Sequence, residues 1–270
     1  MLKIRVLTAA LLSGFLLAAM FVLPARFTVL IYGLICAAGA WEWSGFGALR
    51  GTFARAAYTL AIGALLVAVQ LLGTGEDFLY PLLAGACLWW VVAFFWLGFA
   101  PQRQASWVTL FCGAVVLVPT FAALARLQVS GRDGVHGAEL VLWLMLLVSA
   151  ADIGAYFVGV RFGRRKLAPR ISPGKSWEGV FGGLAAVALV SLLGALRLQL
   201  PLLASVILGL AVGVFSIVGD LTESMFKRAA GLKDSGVILP GHGGILDRID
   251  SIVAAAPFYA LGLLGSGAIR

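Results

Sequence analysis

The sequence predicts an all-α, polytopic integral membrane protein with about nine transmembrane helices. Three observations lead there. Hydrophobic residues make up 61% of the 270-residue chain and charged residues only 12%, against about 45–50% and about 25% in a soluble domain. Mean hydropathy is +1.03. Apolar runs near the roughly 20 residues that a helix needs to cross about 30 Å of hydrocarbon recur along the whole chain.

In order, the runs are 6–23, 27–49, 56–73, 78–99, 106–125, 138–160, 179–196, 202–219 and 251–268. The first follows Lys3 and Arg5 and resembles a secretory signal, but no small-x-small cleavage site follows it, so a retained first helix is expected. Pro24, Pro81, Pro101 and Pro201 stand at or near run edges, where a helix starts or stops without losing an internal hydrogen bond. Cys36, Cys87 and Cys112 lie inside apolar runs with no CxxC pair and read as small packing residues. The chain divides into a transmembrane scaffold, 1–137, and a catalytic half, 138–270, whose long polar connections at 161–178 and 220–250 exceed ordinary linkage.

Charge sets the orientation. With the N-terminus in the cytoplasm, fifteen of the twenty Lys and Arg fall inside; the other five are Arg26, Arg126, Arg132, Arg197 and Arg270. Basic residues resist translocation, so this bias supports a multi-pass protein of the cell (inner) membrane with both long connections cytoplasmic. The formal charge of +8 thus belongs to topology and anionic head groups; the lipid bilayer is the partner it implies, and nucleic acid is not.

Seven of the twelve acids, from Asp152 onward, lie in or beside the two long connections. Carboxylates near hydrocarbon are costly unless paired or bound to a cation. Asp220 and Glu223, then Asp247 and Asp250, are each three residues apart, which places each pair on one helix face. Asp220 is read as closing one span and Asp247 as opening the next, at one membrane depth. An all-oxygen set of this kind suits Mg²⁺, although the same acids can equally pair with Lys227, Arg228 and Arg248. Between them, Gly236, Gly241, Gly243 and Gly244 let backbone N–H groups turn toward an anion, with the helix that starts near Ile245 adding its partial charge. His242 reads either as a phosphate hydrogen-bond donor or as a loop residue. A second basic piece, Ser172-Pro173-Gly174-Lys175-Ser176-Trp177-Glu178-Gly179, reads as a turn offering an ammonium and a hydroxyl to phosphate, without Walker A spacing. Asp152 is an intramembrane acid and reads as a functional group or as one of a buried pair, Arg161 about two turns away permitting a structural partner. Glu42, between Trp41 and Trp43, has no assigned role beyond an interfacial position.

Ser224, Phe226, Lys227, Arg228, Lys233, Asp234, Gly236, Leu239, Pro240, His242, Gly243, Gly244, Ile245, Asp247, Arg248, Ile249 and Asp250 keep the residue types and spacing of one long motif. That motif resembles the signature of the phosphatidate cytidylyltransferase (CDP-diacylglycerol synthase) family. The SPGKSWEG piece and Ala151-Asp152-Ile153-Gly154-Ala155-Tyr156-Phe157 also resemble family motifs, with Ile153 where Thr is common. Before Ala151 only the multi-span character is shared. The resemblance implies phosphatidate and CTP as substrates and a homodimer. It implies Mg²⁺ at Asp220 and Asp247, joined by Asp250 and Asp152, and room for a second, monovalent cation such as K⁺. Catalytic roles would fall to Asp220, Asp247, Lys227 and Lys175. Substrate contacts would come from Ser172, Lys175, Ser176, Glu178, Ser224, Lys227, Arg228, Lys233, Asp234, His242, Gly243, Gly244 and Arg248. Other membrane transferases that place metal-binding Asp at helix ends would show a DGxxAR or NDxxD run, and neither occurs. A transporter using Asp152 and Glu42 would leave the 224–244 segment without a purpose.

Overall fold

A computed structural model describes residues 2–72, 75–99, 104–131, 135–239 and 243–269, with the backbone alone at 2–9 and 76. The chain is a bundle of helices: α1 Leu2–Val22, α2 Ala25–Phe46, α3 Thr52–Leu72, α4 Glu76–Phe99, α5 Ser106–Val129, α6 Val135–Phe162, α7 Trp177–Leu198, α8 Leu202–Ala229, α9 Leu246–Ile249 and α10 Ile252–Gly265. Among the described residues, eight helices are long and apolar enough to span a membrane, with α9 and α10 counted as one span, Leu246–Gly265; the described part of α1 is the shorter apolar Ala10–Val22. The all-α polytopic class holds, with one addition: β1 Lys166–Ala168 and β2 Ser172–Ser176 form a small antiparallel hairpin.

One apolar core runs through both halves of the chain. Trp43, Leu83, Trp90 and Leu117 from the first half pack into it with Leu144, Phe226 and Leu246 from the second. Helix α10 lies against α4, α5 and α8, and α2 against α5. Among the described residues, α6 packs most extensively against α7. A Cβ on Gly183 would stand 2.6 Å from the Ala151 carbonyl oxygen, and one on Gly154 2.7 Å from that of Gly182. Backbones that approach this closely need glycine at the seam, the small-residue packing usual within membranes.

Three boundaries differ from the sequence reading, each for a local reason. Helix α8 does not stop at Gly219 but continues to Ala229, taking in Asp220, Glu223, Ser224, Lys227 and Arg228. Its polar residues interrupt the apolar run without breaking backbone hydrogen bonding. The stop comes where Gly231 adopts φ +72°, with Gly231 N–H donating to the Arg228 carbonyl and Leu232 N–H to that of Lys227, a Schellman ending. The last span starts at Leu246 rather than 251. Residues 172–176 form a strand rather than a turn, since Pro suits extended backbone at a two-stranded edge. Ser176 then caps α7, its Oγ accepting from Gly179 N–H at 3.2 Å, and this fixes Lys175 immediately before the helix.

Candidate active site

The polar residues gather at one end of the bundle, where α2, α6 and α8 finish and α7 and α9 begin. The last three turns of α8 carry Asp220, Glu223, Ser224 and Lys227 at positions i, i+3, i+4 and i+7, which share one face. Glu223 and Lys227 are buried. Lys227 Nζ lies 2.6 Å from Asp247 Oδ1 and 3.1 Å from Glu223 Oε1, bridging α8 to α9. The contact with Glu223 is an ion pair off the hydrogen-bonding angle, and neither oxygen of that buried carboxylate accepts a hydrogen bond from a described residue.

Asp247 is held from the other side by the loop that precedes it. Its Oδ2 accepts from Ser235 N–H and Gly244 N–H, each at 2.9 Å, and Ser235 Oγ lies 2.9 Å from it. Gly243, at φ +79°, brings the backbone so near that a Cβ would stand 2.7 Å from the same oxygen. Among the described residues, four N–H groups of the Gly-rich segment and the start of α9 are turned to carboxylates. Ser235 and Gly244 turn to Asp247, while Ile245 and Leu246 donate at 3.0 and 2.9 Å to the carboxylate of Glu42. Ser235 Oγ also lies 2.9 Å from Glu42 Oε2, so its one proton is shared between the two carboxylates.

The opposite wall is the hairpin. Lys175 Nζ pairs with Asp220 Oδ2 at 2.5 Å, both side chains 26% exposed. Ser224 Oγ donates to Asp220 Oδ1 at 3.3 Å. Asp152, exposed on α6, lies within electrostatic range of Lys175 and Asp220. It does not lean on Arg161, whose guanidinium sits 5.7 Å above the Phe162 ring. Asp250 is within range of Asp220, Glu223 and Lys227, and its Oδ1 accepts from the N–H of Ser251 at 2.8 Å.

The expected residues thus separate into groups. Asp152, Lys175, Asp220, Ser224, Lys227, Asp247 and Asp250 come together. Ser176 and Glu178 hold the hairpin: Ser176 as the cap, and Glu178 by accepting the N–H of Arg164 at 3.0 Å and of Arg165 at 3.2 Å. Ser172 lies on β2, paired in register with Ala168. Lys233, Asp234, Arg228 and Arg248 are exposed around the rim, with Arg228 donating to the Leu232 carbonyl at 3.2 Å. Gly243 and Gly244 form the loop wall, and His242 lies outside the described residues. Two acids were not assigned site roles from the sequence. Glu223 stands within the expected acidic segment and is betrayed by its i+3 spacing from Asp220. Glu42 could be signalled only by being a carboxylate inside an apolar run.

Five carboxylates therefore surround two lysines at this end of the bundle. Among the described residues no three of the acids converge closely enough to ligate one ion as they stand; the ammonium groups of Lys175 and Lys227 are seated against them. The donors are nevertheless all oxygen, and buried Glu223, beside Lys227 Nζ, accepts no hydrogen bond from a described residue. That chemistry fits a hard cation such as Mg²⁺.

Residues 3–264 match the family described as the cytidylyltransferase family. The chain is 44% identical over 279 aligned residues to a protein of Pseudomonas aeruginosa named phosphatidate cytidylyltransferase, covering 99% of this chain and 98% of the relative. A protein of the same name from Haemophilus influenzae is 39% identical, over 96% of this chain and 98% of its own length. A third so named, from Synechocystis, is 53% identical over 47% of this chain and 45% of its own.

Proposed function

The chain belongs to the cytidylyltransferase family, and from that membership we propose that it makes CDP-diacylglycerol and pyrophosphate from phosphatidate and CTP. The observation that carries the reading is the meeting of Lys175, Asp220, Lys227 and Asp247 at one end of a membrane bundle. A soluble nucleotide and a lipid head group that cannot leave the interface must react at such an end. The bias of basic residues supports a cytoplasmic face of the cell (inner) membrane for it.

In the reaction, a phosphate oxygen of phosphatidate attacks the α-phosphorus of CTP in line. The new P–O bond forms as the bond to the bridging oxygen breaks, and pyrophosphate leaves. The nucleophile is already anionic, so no proton need be removed, and catalysis rests on positioning and electrostatics. Lys175, partly exposed and held by a hairpin, is placed to take a phosphate charge in exchange for Asp220. Exposed Lys233, Arg228 and Arg248 offer further positive charge at the rim. Lys227 is enclosed and works by holding Glu223 and Asp247 in place. Mg²⁺ would be held by Asp220, Asp247 and Asp250, with Asp152 beside them, and would neutralise charge on the phosphates. A second, monovalent cation such as K⁺ and a homodimer remain expectations from the family.

The test uses purified protein in detergent with phosphatidate, CTP and Mg²⁺, following lipid-soluble cytidine and pyrophosphate together. Both should appear at equal rates and both should vanish with EDTA. Folded protein yielding neither product from dispersed phosphatidate would overturn the assignment; turnover that survives EDTA would overturn the metal.

A further inference from the structure

Glu42 is 1% exposed and lies 193 to 204 residues before the groups it binds. Its carboxylate receives the N–H groups of Ile245 and Leu246 and shares the single Ser235 hydroxyl proton with Asp247 Oδ2, which also takes the Ser235 N–H. Two loop glycines are shaped around it. A Cβ on Gly236 would stand 2.8 Å from Glu42 Cδ, and one on Gly244 would stand 2.6 Å from it. Alanine at either position would push the carboxylate away.

The helix presenting Glu42 is itself pinned on both flanks. On one side Arg55 stands 4.5 Å above the Trp41 ring and donates to the Trp41 carbonyl at 2.7 Å and to Ser44 Oγ at 2.9 Å. On the other, the Trp43 indole donates to the Thr109 carbonyl at 2.7 Å, and its ring lies 5.2 Å from that of Phe226, the residue before Lys227. A carboxylate so fixed does not adapt to the loop; the loop adapts to it.

The geometry points to Glu42 as a positioning residue for the reaction, setting the Asp247 carboxylate through Ser235 and the backbone at the start of α9. The first half of the chain thereby contributes to turnover as well as to the membrane scaffold. Supporting groups behind a ligating or catalytic carboxylate typically change affinity or activity by about 10- to 100-fold when altered. Glu42→Gln keeps the shape, but in either orientation it sets its NH₂ against a backbone N–H, that of Ile245 or of Leu246, so the start of α9 must shift.

The inference rests on the cytidylyl-transfer reading, so wild type is assayed beside Glu42→Gln, Ser235→Ala and the double variant, with kcat, KM for CTP and thermal unfolding in detergent all recorded. Glu42→Gln should lower kcat about 10- to 100-fold while KM for CTP moves about threefold or less. Ser235→Ala should act in the same direction. The double variant should be no worse than the poorer single, because both act through one carboxylate. Wild-type kcat in Glu42→Gln would overturn the inference while leaving the reaction intact. A loss that tracks the unfolding temperature, or that adds to the loss from Ser235→Ala, would reduce Glu42 to a packing strut. A folded wild type without product would remove the reaction and this role with it.

Discussion

Lys227 and Asp247 meet in an enclosed pair, their side chains 9% and 10% exposed, with two backbone N–H groups and the shared Ser235 hydroxyl also on the aspartate. Lys175 and Asp220 meet across the same site at 26% and 26%, with Ser224 Oγ also donating to Asp220. Charges taken out of water are tolerated only when hydrogen bonds and counter-charges satisfy them fully. The loop side is therefore a fixed frame. The hairpin side keeps its charges nearer to solvent, where a phosphate or a cation can compete for either partner. A site that must admit a large, highly charged nucleotide needs both: one wall that does not move and one pair that can be exchanged.

The largest effect that bears on this contrast is expected from Asp247→Asn. It should lower turnover by about 10³-fold or more while the protein remains folded and inserted, as shown by monodisperse chromatography in detergent. Activity recovered at high Mg²⁺ would make the pair purely structural and end the distinction. Next comes Lys227→Met, which leaves Glu223 and Asp247 without their shared ammonium. Breaking a buried pair by removing one partner costs about 3–5 kcal/mol, which thermal unfolding in detergent would register. Lys175→Met should produce the smaller and opposite pattern. Stability should change by about 1 kcal/mol or less, as for exposed pairs, while KM for CTP rises about tenfold, the signature of lost substrate binding. Equal destabilisation by the two lysine variants would erase the contrast between the walls.

Much of this was legible along the chain, and what was not has specific causes. The membrane spans show because hydrocarbon demands long apolar runs. Asp220, Asp247, Lys175 and Lys227 show because charged groups clustered at span ends stand out against so apolar a background. The end of α8 was misplaced because hydropathy records where a helix leaves the membrane core, whereas the helix itself ends at Gly231, a backbone event. The strand at Ser172–Ser176 was hidden because Pro173 and Gly174 are turn formers in isolation; pairing with Lys166–Ala168 is what extends them. The Gly-rich loop reads in sequence as turning N–H groups toward a phosphate; among the described residues, those of Ser235, Gly244, Ile245 and Leu246 reach Asp247 and Glu42. Glu42 could not be placed at all, since no local pattern links it to Ser235 or Leu246.

That last separation has a consequence in time. At synthesis rates of about 5–20 residues per second, roughly 10–40 seconds pass between the emergence of Glu42 and that of its partners. Throughout that interval α2 carries a carboxylate into the bilayer with none of its eventual donors yet made. Trp41 and Trp43 on either side are of the kind that holds a helix at the head-group level, where water can still reach the acid. Chains truncated before Ser235 should accordingly be cleared faster than full-length chains in a pulse-chase experiment. The helix that carries Glu42 is thus completed only when donors 193 to 204 residues further along have been made.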